Sequence, residues 1–68
     1  MKIVIDVHGE YALVFWKGNI TPYVVVLLED KTVQVGDYIS NWYHGDYFRN
    51  LKTALTRFET RGGKNYAE

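Results

Sequence analysis

Apolar and polar positions alternate through the first part of the chain, the repeat that a pleated strand imposes on its two faces. In KIVIDVH, Ile3, Ile5 and Val7 point one way, and Lys2, Val4, Asp6 and His8 point the other. HGEY follows as a tight reversal, with Gly9 free to take a positive φ. YALVFWK repeats the alternation, with Tyr11, Leu13 and Phe15 on one face and Ala12, Val14 and Trp16 on the other. Gly18 and Asn19 then suit a two-residue hairpin turn.

ITPYVVVLLED predicts a third strand, with Pro22 at its start, where a missing N–H does least harm. Tyr23, Val25 and Leu27 line one face of it, and Val24, Val26 and Leu28 the other. A strand apolar on both faces belongs inside a sheet covered on both sides. EDKT is a turn, and TVQVGDYISNWY predicts a fourth strand with a bulge or bend at Gly36.

The period then changes. Asn50 suits a helix N-cap, and Leu51, Ala54, Leu55 and Phe58 follow at helical spacing. Gly62 and Gly63 stop the helix, with Arg57 and Arg61 near its negative end. The expected fold is α+β: a four-stranded antiparallel meander followed by one C-terminal helix packed on one face. Residues 1–63 form a single domain and residues 64–68 a flexible tail.

One short helix covers one face only. If Ile3, Ile5, Leu13, Phe15, Val25 and Leu27 face it, the other face still carries Val4, Val14, Trp16, Val24, Val26 and Leu28. Soluble monomers rarely leave so large a contiguous apolar patch open. The preferred expectation is a homodimer seam at Trp16, Val24 and Val26, since isologous pairing is the commonest closure of such a surface. The competing expectation folds the SNWYHGDYF segment over that face.

Composition narrows the class. With 68 residues and no cysteine, the chain makes one small domain without disulfides, thiolate nucleophiles or cysteine-ligated zinc. A core of this size rarely nets more than ~3–5 kcal/mol, which favours dense packing or association. The 47% hydrophobic and 16% aromatic content excludes a disordered chain. No apolar run approaches the ~20 residues of a membrane helix. The N-terminus reads as a strand and not as an export signal, so the expected location is cytoplasmic.

Net charge is zero but unevenly spread. Acids outnumber lysines through residue 46, whereas Arg49, Lys52, Arg57, Arg61 and Lys64 outnumber Glu59 and Glu68 beyond it. Lys52, Arg57 and Arg61 are therefore candidate contacts for an anion or nucleic acid.

HGEY recurs as HGDY at His44–Tyr47. His8 with Glu10 and His44 with Asp46 carry ligand types suited to zinc, manganese or iron, but no spacing forces the pairs together. The turn reading is preferred: Gly9 and Gly45 set reversals, Glu10 and Asp46 accept local hydrogen bonds, and Tyr11 and Tyr47 open the next apolar stretch. No nucleophile-elbow, P-loop or dinucleotide motif occurs, and Ser40 is the single serine. The expectation is a non-enzymatic protein with no cofactor, no metal and no catalytic residue.

Tyr38, Trp42, Tyr43, Tyr47 and Phe48 crowd one stretch that ends beside Arg49 and Lys52. Rings interleaved with cations suit single-stranded nucleic acid. Aromatics and arginine are equally the residues enriched at protein interfaces. The acidic strands favour the second use, and Trp42, Tyr43, Tyr47 and Arg49 are the candidate partner-binding residues.

WYHGDYFRNLKTALTRF resembles the ending of many short, uncharacterised proteins encoded by phages and prophages of Gram-positive bacteria. There an aromatic pair, here Tyr47 and Phe48, precedes a capping residue, here Asn50, and a Leu-x-x-Ala-Leu helix, here Leu51, Ala54 and Leu55. The likeness spans about a quarter of the chain. It implies a small accessory protein of a mobile element that binds and blocks a bacterial host protein, such as a defence protein. The order of elements is also similar to that of the dimeric single-strand binders of the positive-cofactor-four and Whirly type. Those display lysines on the sheet, where this chain has Lys2, Lys17 and Lys31. The expected function is thus a protein-binding regulator or inhibitor, with a single-stranded nucleic-acid-binding dimer as the alternative.

Overall fold

The computed structural model describes residues 1–62, so the expected tail and Gly63 lie outside the described residues. The elements are β1 (Lys2–His8), β2 (Tyr11–Trp16), β3 (Tyr23–Leu27), β4 (Gly45–Phe48) and helix α1 (Leu51–Gly62). The strands form one antiparallel sheet in the order β1-β2-β3-β4, and α1 packs on it over β2, β3 and β4. The expected α+β meander with a C-terminal helix is the fold.

The helix starts where Asn50 caps it, its side-chain oxygen accepting from the Thr53 amide at 2.9 Å and from the Thr53 hydroxyl at 2.8 Å. Ala54 and Phe58 of α1 are fully buried against Leu13 and Val25, with Tyr11, Tyr23, Phe48 and Leu55 around them. This is the first of two cores.

The second core lies on the opposite face: Val4, Ala12, Val14, Val24, Val26 and Leu28. Its cover comes from the same chain. Between β3 and β4 the backbone leaves the sheet as a long strap, and Val33, Ile39 and Trp42 of that strap pack on these residues. Val24 and Val26 are 0% exposed. The expected dimer seam is corrected accordingly: Val24 and Val26 are interior residues and Trp16 is half-buried, so the apolar surface that called for a second copy is already closed. The cover is partly the one the competing expectation named: Trp42 belongs to the SNWYHGDYF segment, whereas Val33 and Ile39 come from the stretch before it.

The strap also corrects the fourth strand. TVQVGDYISNWY is not a strand, because Gly36 adopts φ 95 in a turn where the Asp37 amide donates to the Gln34 carbonyl at 3.0 Å. The strap instead runs beside β1. Val4 donates to the Asp37 carbonyl, Gly36 to that of Val4, and Ile39 to that of Lys2, at 2.8–3.0 Å. An isolated Ile3–Tyr38 bridge accompanies these bonds. The true fourth strand is GDYF, so Gly45 sits inside a strand and sets no reversal. Gly9 does turn the β1–β2 hairpin, with φ 61.

Two smaller departures bear on the faces. The β1–β2 register shifts between Val4 and Asp6, leaving Ile5 as a bulge. Beyond it Val7 opposes Ala12 and packs on the second core, whereas Asp6 opposes Leu13 on the helix side, the reverse of simple alternation. The β2–β3 connection is longer than a two-residue turn. Gly18 takes φ 88, the Asn19 side chain donates to the Thr21 carbonyl, and Trp16 donates to the Pro22 carbonyl.

Candidate functional site

Cross-strand register assembles an aromatic cluster on the strap side of the sheet. Lys2 of β1 lies opposite Trp16 of β2, and Tyr47 of β4 lies opposite Val24 of β3, all on the face that carries the second core. Trp42 descends from the strap onto the same spot. Its ring meets that of Trp16 edge-on at 6.1 Å between centroids, and the Tyr47 ring lies 6.4 Å from Trp16. Both distances fall in the favourable range for aromatic pairs. The Lys2 ammonium stands 4.4 Å from the Trp16 ring centre and 5.3 Å from that of Trp42, a cation over two indole faces.

The cluster is only half closed. Trp16 and Trp42 are half-buried, and Tyr47 is 45% exposed. The structure therefore brings together Trp42 and Tyr47 of the candidate partner-binding residues and adds Trp16 from the expected seam. Lys2 is a further member; only its place opposite Trp16 in a paired register marks it, and that register is not visible before β1 and β2 are aligned. Tyr43 and Arg49 stay outside the ring cluster, exposed just before and just after β4. The Tyr43 amide donates to the Leu27 carbonyl at 3.0 Å.

The cationic candidates lie across the sheet. Asp46 opposes Val25 on the helix side, and its carboxylate takes Arg61 at 3.1 Å and Arg57 at 3.9 Å. Both arginines remain substantially exposed. Lys52 joins Phe48, Thr53, Thr56, Arg57 and Thr60 around an open recess of about 420 Å³ between α1 and β4. The threonines keep the helix face polar. Thr56 and Thr60 turn their hydroxyls back to the Lys52 and Thr56 carbonyls at 3.1 and 3.0 Å.

The two HG-acid-Tyr copies do not converge. His8 ends β1, while His44 immediately precedes β4, at the opposite edge of the sheet. Three strand spacings, roughly 14 Å, separate such positions. Among the described residues, no three His, Asp or Glu side chains are grouped to hold a metal ion. The acids of the two copies make ion pairs in place of local turn bonds. Glu10 meets Lys31 of the strap at 2.6 Å, as Asp46 meets Arg57 and Arg61. The Lys31 ammonium, by hydrogen bond and by charge, holds the Glu10 carboxyl below its ordinary range, and Glu10 in turn raises Lys31.

Between the two sets of side chains runs the backbone of β4. It pairs with β3 on one side and stands at the edge of the sheet on the other. No described helix is long and apolar enough to cross a membrane. No family model matches the chain, and neither a curated protein nor a solved structure matches it.

Proposed function

We propose that this protein is a non-enzymatic binding module that docks on a bacterial protein in the cytoplasm and regulates or inhibits it. A phage or mobile-element accessory role is the setting in which such a module fits. The observation that carries the reading is the half-open cluster of Trp16, Trp42 and Tyr47 beside the β4 edge, flanked by Tyr43 and Arg49. Tryptophan, tyrosine and arginine grouped at a partly desolvated spot are the side chains that dominate protein interfaces. A homodimer through Trp16, Val24 and Val26 is not part of this proposal, because it would require Val33, Ile39 and Trp42 to lift off the second core.

The single-strand alternative is weaker on geometry. Stacking on Trp42 and Tyr47 while phosphates meet Lys52, Arg57 and Arg61 needs both sets on one surface, and the sheet divides them.

A photo-crosslinking amino acid at position 43, with one at position 8 on the opposite edge of the sheet as the control, tests the proposal in bacterial lysate. The expected result is a discrete, nuclease-resistant protein adduct from position 43 that disappears when Trp42→Ala is added. Adducts to nucleic acid, or equal adducts from both positions, would overturn the reading.

A further inference from the structure

The two edges of the sheet are finished differently. The outer edge of β1 is occupied over Lys2–Val4 by the strap, through the three backbone bonds at Lys2 and Val4. The outer edge of β4 has no such cover among the described residues. The direction of the ladder fixes which groups face outward there. Leu27 donates to the His44 carbonyl at 3.0 Å, whereas Leu28 donates back to Glu10 at 2.8 Å. Odd positions of β3 therefore bond toward β4. By the alternation of an antiparallel ladder, Asp46 and Phe48 answer them, and Gly45 and Tyr47 turn their N–H and C=O groups away from the sheet.

The side chains on either side of that edge differ in chemistry. On the strap face stand Trp42 and Tyr47. On the helix face stand Arg57, Arg61 and Lys52, with Arg49 exposed beyond the end of β4 and the Asp46 carboxylate paired with the two helix arginines. A strand laid against β4 would send alternate side chains to these two faces.

We infer that β4 is a docking edge for an extended segment of a partner protein in which acidic and apolar residues alternate. The segment adds as a fifth strand. Its backbone bonds to Gly45 and Tyr47, its acidic residues meet the arginine and lysine flank of α1, and its apolar residues lie against Trp42 and Tyr47. This rests on the protein-binding reading above and names the form of the partner. A second copy of the chain fits less well. Pairing β4 with β4 about a twofold axis sets both helices on the same face and brings their cationic flanks together, a like-charge contact.

The test uses the whole chain and blocked synthetic octapeptides on an isotope-labelled sample. The probes are alternating Glu-Val, alternating Lys-Val, a block of four Glu followed by four Val, and the alternating Glu-Val peptide N-methylated throughout. The expected result is saturable binding of the alternating Glu-Val peptide alone, with slowed hydrogen exchange at the Gly45 and Tyr47 amides. Affinity should fall with salt and weaken roughly tenfold in the double variant Arg57→Gln/Arg61→Gln.

Equal binding of the Lys-Val or block peptide would overturn the inference, as would absence of protection at Gly45 and Tyr47 with every peptide. Protection of the same amides that grows with protein concentration and without peptide would assign the edge to a second copy and overturn it too. If the peptides fail while the position-43 adduct persists, strand addition falls and the protein-binding reading stands. If both fail, both fall.

Discussion

The indole of Trp42 lies directly over Gly45, so closely that a methyl group built on Gly45 would stand 2.9 Å from the Trp42 ring nitrogen and 3.1 Å from the Tyr47 ring. Gly45 has no positive φ. Its value here is the absence of a side chain, which lets two aromatic rings close over the backbone of the edge strand. Gly45→Ala is therefore expected to cost about 1–2 kcal/mol through forced repacking. Chemical denaturation measures that loss. A change in tryptophan emission, with the sheet spectrum retained, would confirm that Trp42 is what moves.

Lys2 carries a second prediction. Its ammonium spans two indole faces, so Lys2→Gln removes the cation while keeping much of the side-chain stem. A loss of about 0.5–1 kcal/mol is expected, together with altered tryptophan fluorescence, because the site is half-exposed. An unchanged emission spectrum and an unchanged denaturation midpoint would show that the ammonium has no effect on Trp16 or Trp42.

The helix is held chiefly by one residue. Phe58 is fully buried among Leu13, Val25 and Ala54. Truncation to alanine typically costs ~3–5 kcal/mol, which is comparable with the whole stability of a domain this small. Phe58→Ala should therefore be unfolded at room temperature by circular dichroism. Leu51→Ala, at a position 40% exposed, should fold normally and lose under about 1 kcal/mol.

The start of the strap carries a turn closed by Asp30 and an ion pair to Glu10, two carboxylates whose titration has a definite sign. Asp30 accepts from the Thr32 hydroxyl at 2.6 Å and from its amide at 2.8 Å, and these bonds lower its pKa. Lys31 does the same to Glu10. A carboxylate with a depressed folded-state pKa contributes stability above its unfolded pKa and loses it as pH falls through the folded value. Stability should be level near neutrality and decline below about pH 4. Asp30→Asn should flatten that decline. Lys31, whose pKa is raised, contributes the mirror effect, with its share lost only at strongly alkaline pH.

How much of this was legible depended on which signals were long enough to read. The alternation in β2 and β3 placed Leu13 and Val25 on one face and Val14, Val24 and Val26 on the other, and the structure agrees. Asn50 and the Ala54–Phe58 spacing gave the helix for equally local reasons. The bulge at Ile5 escaped because an inserted residue leaves no mark until a partner strand defines the register. Strand β4 escaped because four residues carry too little alternation, and the HGDY pattern read more simply as a turn. The strap was misread because Val33, Val35 and Tyr38 mimic a strand, while positive φ at Gly36 is a conformational fact that the residue type only permits. For the candidate site, the aromatic residue types were legible. Their separation from the arginines was not, because it follows from the parity of β4.

In most small sheets the longest connection is where sequence drifts most freely, because it touches little. Here that connection is the wall of a core, and its Gly36–Ile39 stretch fastens to Lys2 and Val4, more than thirty positions earlier in the chain. Tolerance to insertion, deletion and epitope tagging should thus be displaced onto the short connection around Lys17, Gly18 and Ile20, three residues exposed to solvent. A library of single-residue deletions scanned along the chain would show its survivors clustered there and absent from the apparently structureless stretch between β3 and β4.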